Sequence, residues 1–188
     1  AKKGWGVAPD KPLLVVTGGG LGAARLNNTI VSVLPELEKM ATVILVAGAG
    51  PYEALRKQFP EDTKYFQLHA FTNNMPSLLG ASDIVVARAG ATTILELAAL
   101  AKPTILVPNA ALTGGHQLKN AAVYGDAQVA VVLDEDEMID DTSLLINAVR
   151  FYLADPKTTH SMAKRFGKFA KPDAAADMAE LILSAHQE

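Results

Sequence analysis

Residues 13–23 read Leu-Leu-Val-Val-Thr-Gly-Gly-Gly-Leu-Gly-Ala, an aliphatic run of strand length followed by four glycines within five positions. A continuously apolar run suits a strand whose two faces are both covered, as in a parallel sheet flanked by helices. Glycines after it let backbone amides approach a ligand, and the start of the following helix favours negative charge. Working outward, the same alternation recurs. Strands are expected at Leu13–Thr17, Thr42–Ala47, Lys64–Leu68, Asp83–Ala87, Thr104–Val107 and Gln128–Leu133. Helices are expected between them at Ala23–Lys39 (interrupted near its end by Pro35), Pro51–Gln58, Met75–Gly80, Thr92–Leu100 and His116–Gly125. The remainder is helical: Asp136–Leu153, Lys157–Ala170 and Asp173–Ala185. Strand–helix alternation of this kind predicts an α/β fold, a Rossmann-like, doubly wound parallel sheet of about six strands with C-terminal helices.

Composition agrees. The chain has 188 residues, 49% hydrophobic and 20% charged, with 17 Lys+Arg against 20 Asp+Glu and a net charge of −3. That length can bury a core without staples. The absence of cysteine excludes disulfides, thiolate metal sites and a cysteine nucleophile. A slightly acidic balance lacks the basic footprint of a nucleic-acid binder, so no nucleic-acid partner is expected. No apolar run approaches the roughly 20 residues of a membrane span. Residues 1–11, rich in Lys, Gly and Pro, are expected to be a poorly ordered lead-in, with the domain proper over 12–188. The chain begins with Ala1 and shows no signal-peptide pattern, which suggests a processed or excised chain.

In a doubly wound sheet, ligands bind beyond the carboxyl ends of the strands. The first such loop, Gly18, Gly19, Gly20, Leu21, Gly22 and Ala23, suits a phosphate or diphosphate. It also fits the dinucleotide fingerprint. However, the second strand ends Ala47-Gly48-Ala49-Gly50 without the ribose-binding acid, which makes a nicotinamide cofactor a poor candidate. The fourth loop, Arg88-Ala89-Gly90-Ala91-Thr92-Thr93-Ile94-Leu95-Glu96, offers a second anion-friendly helix start. Glu96 shares a helical face with Thr92 and Thr93. It reads equally as the acceptor for a ribose diol or as the acid of a capping box. The fifth loop ends in His116, Gln117, Lys119 and Asn120, donors suited to a polyol. In the third loop, Phe71, Thr72 and Met75 could border a planar base, while Phe71 also reads as a core residue. The run Asp134-Glu135-Asp136-Glu137 reads as an acidic first helical turn, not a metal motif. The histidines show no metal-ligand spacing.

Gly18-Gly19-Gly20-Leu21-Gly22-Ala23 with Leu26-Asn27, Arg88-Ala89-Gly90-Ala91-Thr92-Thr93 to Glu96, Pro103 to Pro108, and His116-Gln117-Leu118-Lys119-Asn120-Ala121 occur in that order. The series resembles the C-terminal half of the bacterial MurG family of N-acetylglucosaminyltransferases, over nearly the whole chain. The resemblance implies one half of a two-domain GT-B enzyme. This half binds UDP-N-acetylglucosamine (UDP-GlcNAc), and an N-terminal domain, not in this chain, takes a lipid-linked acceptor. It implies inverting, metal-independent transfer that makes the second lipid intermediate of peptidoglycan from the first, with no cofactor. The full enzyme would be peripheral on the cytoplasmic side of the membrane.

By the same resemblance, Gly18, Gly19, Gly20 and Gly22 would face the diphosphate, and Phe71, Thr72 and Met75 the uracil. The motif Arg88, Gly90, Ala91, Thr92, Thr93, Ile94 and Leu95 would lie by the phosphates and sugar. Glu96 would take the ribose hydroxyls, and His116, Gln117 and Asn120 the N-acetylglucosamine ring. The chain departs from the family pattern at Gly20, usually Ser, and at Gly115, commonly Asp. No general base is evident, so the isolated chain is expected to bind donor without turnover. A non-catalytic subunit of a split transferase and, further off, a dinucleotide-dependent oxidoreductase are the alternatives.

Overall fold

The computed structural model describes residues 2–7, 9–19, 23–111 and 113–185. Six strands, β1 (Leu13–Thr17), β2 (Thr42–Val46), β3 (Phe66–His69), β4 (Ile84–Ala87), β5 (Thr104–Leu106) and β6 (Val131–Val132), form one sheet in the order β3-β2-β1-β4-β5-β6. Every pairing is parallel, with Leu14 level with both Val43 and Ile84. This is the doubly wound order expected from the strand–helix alternation. The strand order reverses between β1 and β4, so the loops leaving these two strands diverge and open a crevice at the carboxyl edge.

Every residue of β1 and β2 is buried, which accounts for their unbroken aliphatic character. Alternate side chains enter separate cores on the two faces. Leu14, Val16, Val43 and Leu45 pack with Leu26, Ile30, Leu37, Leu145 and Val149. Leu13, Val15, Ile44 and Val85 pack with Leu78, Ile94, Leu97 and Phe166 on the other face. Truncating any of the fully buried leucines would cost about 2–5 kcal/mol in lost transfer energy and residual cavity.

The ten helices among the described residues start with α1 (Ala24–Ser32) and α2 (Leu34–Met40). The single helix expected over Ala23–Lys39 is thus two, parted at Val33 because Pro35 sits in the first turn of α2 and cannot continue α1. Then come α3 (Ala49–Gln58), α4 (Met75–Ala81), α5 (Ala91–Ala99) and α6 (His116–Asp126). The helix expected over Asp136–Leu153 is also two, α7 (Glu135–Asp140) and α8 (Ser143–Ala154). Asp141 breaks it by accepting the Ser143 amide at 3.0 Å, a local bond that competes with helix continuation. α9 (Pro156–Phe166), capped by Asp155, and α10 (Ala174–Ala185) complete the chain.

The strands β3 and β6 are shorter than expected. The Thr63 hydroxyl accepts the Phe66 amide at 3.0 Å, turning the chain ahead of β3. Gln128 takes a left-handed φ of 52° ahead of β6. Over its described residues 2–7 the lead-in docks as a strap against β3. A turn of 3-10 helix spans Lys2–Trp5, and Val7 is buried. The Trp5 carbonyl accepts Gln67 Nε2 at 2.9 Å, and the Trp5 ring stands edge-on to His69 with centroids 6.3 Å apart.

Candidate functional site

The helices that follow β1 to β5 share one property. None of α1, α3, α4, α5 or α6 has a side-chain hydrogen bond at its N-cap. By contrast, Asp134 caps α7 and Asp155 caps α9, each accepting two amides. Uncapped first-turn amides are unsatisfied donors at the positive end of a helix dipole. The carboxyl edge of the sheet therefore presents several anion-ready helix starts.

Three of those starts, at Gly48 ahead of α3, Met75 of α4 and Thr93 of α5, border a cleft of about 210 Å³. Its floor is the end of β1 and β2, at Thr17, Gly19, Val46 and Gly48. One wall is the segment after β3, with Ala70, Phe71 and Thr72, backed by Met75 and Leu79 of α4. The facing wall is α5, through Thr93 and Glu96. Gly19 has a φ of +79° and nothing within 4 Å of where a Cβ would stand, so the floor turns sharply and stays open.

Phe71 is 67% exposed, which removes the core reading and leaves an aromatic face bare beside the cleft. The capping-box reading of Glu96 also falls. α5 begins at Ala91 behind an extended Gly90, so Glu96 lies beyond the first turn, and its exposed carboxylate is turned to the cleft. Among the described residues it is the one charged side chain in the cleft lining.

Gly19, Phe71, Thr72, Met75, Thr93 and Glu96 are thus gathered around one cavity, with Gly18 next to it in sequence. Ala91 and Thr92 stand exposed at the start of α5, and Gly90 is its N-cap. Gly20 and Gly22 lie outside the described residues. Other positions of the motif face elsewhere. Ile94 is 1% exposed and belongs to the core, and Leu95 is turned to solvent. The Arg88 guanidinium is buried, donating to the Val107 carbonyl at 3.1 Å and to the Glu135 carboxylate.

His116, Gln117 and Asn120 lie on α6, outside the cleft lining. The Gln117 Oε1 accepts the Asn109 amide at 2.9 Å, and Asn120 Nδ2 donates to the Ala89 carbonyl at 3.0 Å. His116 is exposed, after a left-handed pair, Gly114 and Gly115. Their φ values of +80° and +60° are conformations that favour glycine. Among the described residues no three His, Asp or Glu side chains gather as a metal-holding group, and no helix is long and apolar enough to cross a membrane.

Two features escaped sequence reasoning. The partnership of Arg88 with Glu135 was concealed because both lie in runs with simpler readings. The docking of Trp5 on His69 had one signal, a large aromatic residue in an otherwise polar lead-in. Burial holds the His69 imidazole below its usual pKa, with Asp62 opposing the shift and Arg56 adding to it.

A family model for the glycosyltransferase family 28 C-terminal domain matches residues 13–178. The UDP-N-acetylglucosamine–N-acetylmuramyl-(pentapeptide) pyrophosphoryl-undecaprenol N-acetylglucosamine transferase of Bacillus licheniformis is 38% identical over 175 residues, covering 90% of this chain and 47% of that protein. The enzyme of the same name from Exiguobacterium sp. is 34% identical over 175 residues, covering 93% of this chain and 48% of its own. The chain therefore spans about half the length of the curated relatives it matches. The crystal structure of Acinetobacter baumannii MurG shares the fold, with a TM-score of 0.76 at 23% identity over 94% of this chain and 51% of that one. With a family match running from β1 into α10 and relatives this similar, the chain belongs to the glycosyltransferase family 28 C-terminal domain family.

Proposed function

We propose that this chain is the donor-binding half of an inverting N-acetylglucosaminyltransferase that takes UDP-GlcNAc. The acceptor would be the lipid-linked muramoyl-pentapeptide named in its relatives, held by a separate N-terminal domain at the cytoplasmic face of the membrane. The observation that carries this is the pairing of an exposed aromatic face and an exposed carboxylate, Phe71 and Glu96, on the walls of one cleft beside uncapped helix starts.

The chemistry follows the layout. A cleft of about 210 Å³ admits a base and part of its ribose but not a whole nucleotide sugar. The uracil lies by Phe71, Thr72 and Met75, and the ribose diol donates to Glu96. The diphosphate then lies over Gly18, Gly19 and the first-turn amides of α5. Among the described residues no lysine or arginine lines the cleft, and backbone dipoles at the helix starts suit the negative charge that grows on the departing diphosphate. The sugar extends past the cleft mouth toward α6, where His116 and Gln117 offer donors. Glu96, the one acid of the cleft among the described residues, is engaged by the ribose, so the base that deprotonates the acceptor comes from the other domain.

Titration calorimetry with UDP, UDP-GlcNAc and NAD tests this. Binding of the two uridine nucleotides and not NAD is expected. Binding of NAD alone would instead favour the oxidoreductase. The isolated chain is expected to transfer no sugar to a lipid acceptor, and transfer on adding the N-terminal half as a separate polypeptide would show that the missing partner is that domain.

A further inference from the structure

The Glu135 carboxylate is 4% exposed and has a cation on each oxygen. Oε1 pairs with the buried Arg88, which leaves β4 just ahead of α5 and also holds the Val107 carbonyl beyond β5. Oε2 lies 3.5 Å from Arg25, the second residue of α1, and Arg25 pairs in addition with Asp136. One carboxylate thus bridges the segments that begin the two helices on either side of the strand-order reversal. α5 lines the cleft through Thr93 and Glu96, and α1 begins a few residues beyond Thr17 and Gly19 of the cleft floor.

From this geometry we infer that Glu135 is a positioning residue: through Arg88 and Arg25 it sets the separation of the α5 and α1 starts, and with it the affinity for a diphosphate. The inference rests on the donor-site reading above. Glu135 itself touches no ligand. A buried acid with a cation on each side fixes distance well, because moving either helix start separates charges in a medium of low dielectric. Arg25 is half exposed, so its arm of the bridge is the weaker and more salt-sensitive one.

The test separates positioning from plain stability. Glu135→Gln keeps the shape but leaves Arg88 buried without its counter-charge, which destabilises the fold. The double variant Arg88→Met with Glu135→Met replaces the buried pair by apolar groups of similar size and is expected to recover most of that stability. UDP is titrated into the wild-type 188-residue chain and both variants, alongside thermal unfolding. The dissociation constant is expected to rise on the order of tenfold in both variants, as misplacement of a preorganised site costs affinity. An affinity that returns to the wild-type value with stability in the double variant would assign the pair a structural role only and overturn the inference. Amide exchange without ligand is the second readout. Protection at residues 27–30 and 94–97, the first hydrogen-bonded amides of α1 and α5, is expected to fall together in the double variant, and a change confined to one segment or to neither would also overturn it. If wild-type protein fails to bind UDP, the donor-site reading fails, and the exchange result alone decides whether Glu135 holds the two helix starts.

Discussion

Asn120 Nδ2 donates to the Ala89 carbonyl at 3.0 Å, joining α6 to the fully buried residue that precedes Gly90 and α5. The bond supports the loop at the mouth of the cleft from behind. Asn120→Ala leaves the Ala89 carbonyl without this donor, at a cost of about 1–3 kcal/mol. Urea or thermal denaturation should show it, with a melting point lower by about 2–4 °C for each kcal/mol lost. An unchanged midpoint would mean that the carbonyl finds another donor.

Glu96 is exposed and faces the cleft, so Glu96→Ala is expected to leave folding stability unchanged while weakening UDP binding. The loss of charge-assisted hydrogen bonds to the ribose sets the size of the effect, about 1–3 kcal/mol. Equal dissociation constants for variant and wild type would remove Glu96 from the ribose site.

Phe71→Ala separates base recognition from phosphate recognition. The ring is 67% exposed and contributes little to the core. Its removal should cost about 1–3 kcal/mol of UDP affinity through lost stacking. Binding of inorganic pyrophosphate should be unaffected, and an equal loss for both ligands would contradict a base-stacking role.

His69 links pH to the strap. Its folded state disfavours the protonated ring, so stability present above the unfolded pKa of about 6.5 is lost as pH falls through the lower folded value. Trp5, the sole tryptophan, packs on that ring and reports the change. Its emission should move toward that of an exposed indole between about pH 7 and about pH 5, the range of imidazole titration. His69→Gln should flatten the response, and a profile identical to wild type would assign it to another group.

Much of the fold was legible because its strands are aliphatic without interruption. Leu13–Thr17, Thr42–Val46, Ile84–Ala87 and Thr104–Leu106 are all buried at every position, covered on both faces. Of the two helix breaks, Pro35 marked the first, whereas the second comes from the Asp141 side chain accepting the Ser143 amide, which the apolar period does not show. At the candidate site, glycine and hydroxyl spacing pointed to Gly19, Thr93 and Glu96, which line one cleft, since anion-ready turns are short-range features. Arg88 was legible as part of a motif but not by direction. Whether a guanidinium turns to a cleft or to a buried acid 47 positions along the chain is decided by packing that no local pattern encodes. The exposure of Phe71 is likewise a tertiary fact.

The structure of this chain crystallised with UDP places every group at once. Expected are a uracil against Phe71, ribose hydroxyls on the Glu96 carboxylate, and phosphate oxygens within hydrogen-bond reach of the amides at the start of α5. A nucleotide bound away from the carboxyl edge of β1 and β4, or bound there with Glu96 turned outward, would contradict the donor site proposed for this fold.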